Sequence, residues 1–317
     1  MLTKIGLGLA AIGRPEYINL RQNPDPGKSE ADYEKRAEDL LNHAYLMGIR
    51  DFDTAPSYGK GEDYLIKWYH KNDYQDLKLS TKWGYTYVAN WEIGYSGAHE
   101  IKEHSLPKLK EQWQKSKQLL PALGSYQIHS ATFDSGVLNN FDVLNELFQI
   151  KEQTGMKIGL SVSGNQQNNI LKTAAGIEIK GDVLFDSFQV TYNILENSTH
   201  QTLEKFIDQG KTVIVKEALA NGRIFRNKNY PHYADFYDAI ESIAKKHKVG
   251  VDAIALRYVM DHLSPALVLS GASNTTQLDE NLKAVQLKLN RDEIEILSKF
   301  GVDAQSYWTE RKKLTWN

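Results

Sequence analysis

The chain has 317 residues, with 38 Lys and Arg against 40 Asp and Glu; the net charge of −2 is built from interspersed signs and offers no general attraction to nucleic acid or anionic lipid. It contains no cysteine, which excludes a disulfide framework, and no run approaching the roughly 18 apolar residues of a membrane-crossing helix. A hydrophobic content of 41% over this length suits one large core, so a single domain over residues 1–317 is expected. Met1-Leu2-Thr3-Lys4 passes directly into a strand-like run with no long apolar leader, and a cytoplasmic location is expected.

Short apolar runs then alternate with longer segments of helical periodicity. Strands are expected near Ile5–Leu9, Ile49–Asp53, Leu77–Lys82, Tyr126–His129, Lys157–Ser161, Phe188–Thr191, Thr212–Lys216 and Leu267–Ser270. Eight such runs, each followed by room for a helix, make the count of a (β/α)8 barrel. Between the first two, Tyr33, Ala37, Leu40, Leu41 and Ala44 recur at helical spacing, with Ser29 as N-cap and Gly48 just past the end. Residues 14–28, rich in Pro, Gly, Asn and Asp, read as a long loop. Residues 252–263 and 281–297 carry further helical patterns. No repeat, low-complexity tract or linker interrupts the series.

Three of the strands end in an ionisable group. Asp53 closes the second and is followed five residues later by Tyr58; Lys82 closes the third and His129 the fourth. In a parallel barrel that end is the active face. A free tyrosine has a pKa near ~10, which a neighbouring ammonium lowers, and Lys82 is the expected ammonium. Asp53 is the partner that makes a buried Lys82 tolerable. His129 can share or donate a proton. This set suits moving a proton on or off a carbonyl or alcohol oxygen while a separate group supplies the electrons. With no cysteine and no compact His/carboxylate spacing for a metal, a nicotinamide is the expected redox partner.

The segment after the third strand holds Trp83, Tyr85, Tyr87, Trp91 and Tyr95, interleaved with Gly84, Asn90 and Gly94. Aromatic faces there suit the C–H surfaces of a sugar or an aromatic carbonyl compound. Single-stranded nucleic acid is disfavoured, because no Lys or Arg lies between Trp83 and Ile101. After the eighth strand, Gly271-Ala272-Ser273-Asn274 leads to a helix capped by Asn274 with Gln277 at its third position. Such a terminus offers free N–H groups to a phosphate. The remaining histidines, at 43, 70, 99, 104, 200, 232, 247 and 262, lack comparable company and read as surface or core residues.

Taken in order, Asp53-Thr54-Ala55-Pro56-Ser57-Tyr58-Gly59, Ser80-Thr81-Lys82 and Gln127-Ile128-His129-Ser130 resemble the aldo-keto reductases. The likeness continues through Val190-Thr191-Tyr192-Asn193, Ala255-Leu256-Arg257-Tyr258 and Gly271–Asn274 to Glu280-Asn281-Leu282, over nearly the whole chain. The resemblance implies an NAD(P)-dependent oxidoreductase acting on a small aldehyde, ketone or sugar. Tyr58 would be the general acid, Lys82 the group that lowers its pKa, Asp53 the anchor of Lys82, and His129 the group that orients the substrate oxygen.

The resemblance further implies cofactor contacts from Ser161, Gln189, Lys216, Leu219, Gly271, Ser273, Asn274, Gln277, Glu280 and Asn281. Substrate contacts are expected from Trp83, Tyr85, Trp91 and, in the C-terminal segment, Trp308. There are departures from the family pattern. Val162 stands where many members have asparagine, and Lys216 stands where an aromatic ring stacks on the nicotinamide. Gly271 and Gln277 replace the lysine and arginine that hold the 2′-phosphate in NADPH-preferring members. Arg223 or Arg226 would then approach the phosphate from the other side. NADP(H) and NAD(H) both remain open, as do an aldose dehydrogenase running in the oxidative direction and a non-catalytic cofactor-binding regulatory subunit.

Overall fold

A computed structural model describes residues 4–16, 20, 29–264 and 266–316. Most of the loop expected over 14–28, namely residues 17–19 and 21–28, lies outside the described residues. Eight parallel strands close into a barrel: β1 (Ile5–Gly8), β2 (Asp51–Asp53), β3 (Lys78–Trp83), β4 (Leu123–Ile128), β5 (Lys157–Ser161), β6 (Phe185–Thr191), β7 (Thr212–Lys216) and β8 (Leu267–Ser270). They neighbour one another in chain order, and β8 returns to pair with β1. This is a TIM barrel. Every expected strand is present; β6 begins three residues earlier than its apolar run suggested, at Phe185.

The strands are buried on both faces, so their inward and outward sets are distinguished by what they touch. Ser80 and Lys82 reach Asp53 inside the barrel, whereas Thr81 bonds Glu62 on the helix outside. The helices that cover the barrel are α1 (Glu30–Leu46), α2 (Gly61–Lys71), α3 (Leu106–Ser116), α4 (Phe141–Thr154), α5 (Gln167–Ala175), α6 (His200–Asp208), α7 (Ala234–His247) and α8 (Val251–His262). Helix α1 is set by the signals in its sequence: Ser29 and Asp32 form a reciprocal capping box, and Tyr33, Ala37, Leu40, Leu41 and Ala44 are its buried stripe.

The helical pattern expected over 281–297 resolves into two helices, α9 (Thr275–Gln286) and α10 (Arg291–Ser298). The break has a local cause. Asn290 accepts from the Glu293 N–H while the Glu293 side chain accepts from the Asn290 N–H, a second capping box that starts a new helix. A last helix, α11 (Ala304–Arg311), packs against the segment after β7, with Arg311 on Glu217 and Tyr307 under Arg223, and a hairpin of Tyr85–Tyr87 with Glu100–Lys102 follows the end of β3. Among the described residues no helix is long and apolar enough to cross a membrane.

Candidate active site

The barrel register brings the strand ends together: Asp53 is level with Ser80 on β3, and Lys82 with Gln127 on β4. Lys82 Nζ donates to Asp53 Oδ2 at 2.5 Å and to the Thr54 carbonyl at 2.9 Å, with both side chains almost wholly buried. Asp53 Oδ1 accepts from Ser80 Oγ at 2.8 Å and from Gln189 Nε2 at 2.9 Å. A buried ion pair survives only when its remaining lone pairs and protons are met in this way.

Tyr58 sits above this pair on the turn that follows β2, with Lys82 Nζ 4.8 Å from its ring centroid. The turn is held by Gly13, whose missing side chain lets the two backbones touch: a Cβ there would lie 2.0 Å from the Tyr58 carbonyl. Lys60 N–H closes the contact by donating to the Gly13 carbonyl at 2.7 Å. The phenol behaves differently from the expectation that Lys82 lowers its pKa. Burial first, then the Asp53 and Glu100 carboxylates, push Tyr58 well above its ordinary value, against an opposing pull from Arg14. Asp53, at 2.5 Å, balances the Lys82 charge, so the phenol keeps its proton at neutral pH.

His129 stands edge-on to Tyr58, with ring centroids 5.5 Å apart. Burial, together with the cations Lys82, Lys216 and Arg14, holds its pKa well below the ordinary imidazole value, so the ring is neutral. Its backbone is fixed from both sides: its N–H donates to the Trp83 carbonyl and its carbonyl accepts from His104 Nε2 at 2.8 Å. His104 is thus a working core residue, and Gly84 makes room for it, since a Cβ there would lie 2.2 Å from the imidazole.

Sequence reasoning did not single out Arg14, Ser57, Glu100 or Trp316. Arg14 is buried and donates to the Ser57 carbonyl at 2.9 Å and to Glu100 Oε1 at 2.6 Å. Its guanidinium lies 5.5 Å from the Tyr58 ring centroid and 4.6 Å from that of Trp316, which in turn stacks on His99 at 4.2 Å. The usable signal was a lone arginine directly after the first strand and its apolar extension. Glu100 and Trp316 carried no local signal, because only the hairpin and the chain end bring them to the mouth.

The four aromatic residues expected at the substrate divide. Tyr85 lies 4.8 Å from His129, ring to ring, and is partly exposed. Trp83 falls on the outward face of β3 with Thr81; it is fully buried and packs edge-on against His104 instead of lining the mouth. Trp91 packs on Tyr33 and lines a separate hollow of about 480 Å³ with Tyr87, Pro56 and Gly59. Trp308 is buried against Tyr307 on α11.

At the other half of the mouth, Gln189 has one buried atom to spare: its Oε1 has no hydrogen-bond partner, in a position beside Asp53. A carboxamide N–H2 is the kind of donor that acceptor lacks, so a nicotinamide fits here. Ser161 Oγ accepts from the Ser130 N–H at 2.8 Å. Lys216 donates to Ser163 Oγ and Thr191 Oγ1 at 2.9 and 2.6 Å, and burial lowers its pKa to about 8. Tyr192, directly after β6, points outward to His200 and His262 and not into the mouth beside Gln189.

Leu219, partly exposed, lies in the turn after Glu217, which is anchored by Arg311 of α11 at 2.8 Å. Burial would raise the Glu217 pKa, but Arg311 and Lys216 outweigh it and hold the carboxyl at about 2. At the end of β8, Asn281 Nδ2 donates to Ser270 Oγ, Asn274 caps α9, and Gln277 Oε1 accepts from Ser273 N–H and Oγ. Gly271 is exposed with open space around it, and Glu280 pairs with Lys283. Neither arginine considered for the phosphate points there. Arg223 is fully buried against Tyr307 and Glu310, and Arg226 is paired with Glu241 and Asp238 on α7.

A barrel with a buried Asp–Lys pair, a protonated tyrosine and a neutral histidine at its mouth has a proton donor ready at the ends of its strands. The model of the aldo/keto reductase family matches residues 4–301, and the chain belongs to that family, whose members use nicotinamide cofactors. It is similar to an uncharacterised oxidoreductase, YqkF, of Bacillus subtilis, with 23% identity over 93% of this chain and 92% of that protein. Among solved structures it resembles the glycerol dehydrogenase AKR11B4 of Gluconobacter oxydans, with a TM-score of 0.69 and 19% identity over 94% of this chain and 91% of that one. It also resembles the D53A mutant of Gox0644 in complex with NADPH, with a TM-score of 0.61 and 19% identity over 94% and 89% of the two chains.

Proposed function

We propose that the protein reduces the carbonyl group of a small polar aldehyde, ketone or sugar, using either NADH or NADPH. The observation that carries the reading is Tyr58: a phenol held in its protonated form beside Lys82 and His129 is a proton donor in waiting. A nicotinamide held at Gln189 would supply the hydride that the carbonyl carbon takes up. Tyr58 gives its proton to the carbonyl oxygen, and the phenolate left behind is favoured by the Arg14 guanidinium, while Lys82, held by Asp53, stays beside the ring. His129 orients that oxygen. Ser161 and Gln189 would hold the carboxamide, and Lys216, Leu219, Gly271, Ser273, Asn274, Gln277, Glu280 and Asn281 would line the rest of the cofactor's path.

A sugar or other polyol is favoured by the mouth, where the Arg14–Glu100 pair lies beside the aromatic faces of Tyr85 and Trp316. Dual cofactor use is favoured by Gly271 and Gln277, since neither brings a cation to a 2′-phosphate. Titration with NADH and NADPH, followed by a panel of aldehydes, ketones and aldoses with the tighter cofactor, tests the reading. Tight cofactor binding without turnover of any carbonyl or alcohol would favour a binding role over an enzymatic one. Turnover confined to aldose oxidation would reverse the assigned direction.

A further inference from the structure

We infer that Ser57 is a positioning residue that sets the tautomer of His129, placing the ring proton on Nε2, where a substrate oxygen can accept it. This rests on the role proposed above for His129. Ser57 is fully buried, and its Oγ lies 3.2 Å from His129 Nδ1, the one side-chain partner it has among the described residues. Its carbonyl is taken by Arg14 Nη1, which fixes the turn that carries it.

The neutral imidazole has a single N–H, and the hydroxyl of Ser57 can either donate or accept. The two arrangements differ in what they leave behind. If Nδ1 carried the proton, the buried Ser57 O–H would have no acceptor, and leaving such a donor unmet is costly. If Ser57 donates to Nδ1, every polar atom in the contact is satisfied and the ring proton stands on Nε2. That atom has no protein partner among the described residues, and His129 keeps 9% exposure.

Ring ¹⁵N chemical shifts of His129 in the cofactor-free protein test this directly, with its signals identified by their loss in His129→Gln. The expected wild-type pattern is a pyrrole-type Nε2 and a pyridine-type Nδ1. Ser57→Ala should move both shifts toward the average of the two tautomers, and Ser57→Thr, which keeps the hydroxyl, should restore them. With NADPH affinity unchanged, kcat/KM for a reducible carbonyl should fall about three- to tenfold in Ser57→Ala. A wild-type pattern with the proton on Nδ1, or His129 shifts that ignore Ser57→Ala, would overturn the inference. The expected tautomer in a protein that turns over no carbonyl would instead sink the functional reading and leave the role of Ser57 standing.

Discussion

The Tyr192 phenol bridges two stacked imidazoles on the outside of the barrel: it lies 2.7 Å from His262 Nδ1 and 3.0 Å from His200 Nδ1, and the two rings are 4.1 Å apart. Burial, then the neighbouring His200, lowers the His262 pKa to about 4 from an ordinary 6.5. The folded protein therefore holds this ring neutral where the unfolded chain would already be charged. Stability should decline as pH falls from about 6.5 toward about 4 and level off below, because the unfolded state binds the proton first. Urea unfolding at pH 7 and pH 5 checks this: His262→Gln should lose less stability between the two than wild type, and an equal loss would place the acid sensitivity elsewhere.

Tyr58→Phe removes the transferable proton and keeps the ring. Turnover should drop by about 10²–10⁴-fold with cofactor affinity retained, since general acid catalysis contributes on that scale. The unmutated enzyme should reduce its carbonyl substrate with no descending limb from the phenol up to about pH 9, because the group titrates above its free value near 10. An inflection near pH 8 would belong to Lys216 and should vanish in Lys216→Met. A phenol limb near pH 7 would mean that bound cofactor drives the Tyr58 pKa far below its value in the free protein.

Lys82→Met should damage folding as well as chemistry. It strands the Asp53 carboxylate in the barrel, a loss of about 3–5 kcal/mol for a buried pair broken on one side. Adding Asp53→Asn should recover part of that stability but none of the activity. Denaturant midpoints and kcat measured on the same three proteins separate the two effects, and recovery of activity in the double variant would remove Lys82 from the chemistry.

Gln277→Arg tests cofactor choice. The position is exposed, and its side chain now folds back on Ser273, so an arginine there is free to swing outward. If it faces the adenosine ribose, NADPH affinity should rise about ten- to a hundredfold with NADH nearly unchanged. Equal changes for both cofactors would put the 2′-phosphate elsewhere.

The strands and the polar set at their ends were legible because both depend on local pattern. Asp53, Lys82 and His129 each close an apolar run, and parallel pairing then has to bring those ends together. What stayed hidden depends on contacts distant in sequence. Trp83 sits in the aromatic cluster, yet one step of strand alternation from Lys82 turns it to the helix layer. The state of the Tyr58 phenol was missed for a physical reason: a neighbouring ammonium lowers a pKa only to the extent that its own charge is uncompensated, and the 2.5 Å contact with Asp53 compensates it. Arg14 and Glu100 meet across 86 residues, and no spacing rule connects them.

The stacking of Trp316 on His99 and under the Arg14 guanidinium puts the end of the described chain at the barrel's aperture, while β1 enters from the opposite floor. One indole therefore covers a histidine and an arginine at once. Trimming that ring in Trp316→Ala should loosen both together and widen the opening through which a small molecule passes.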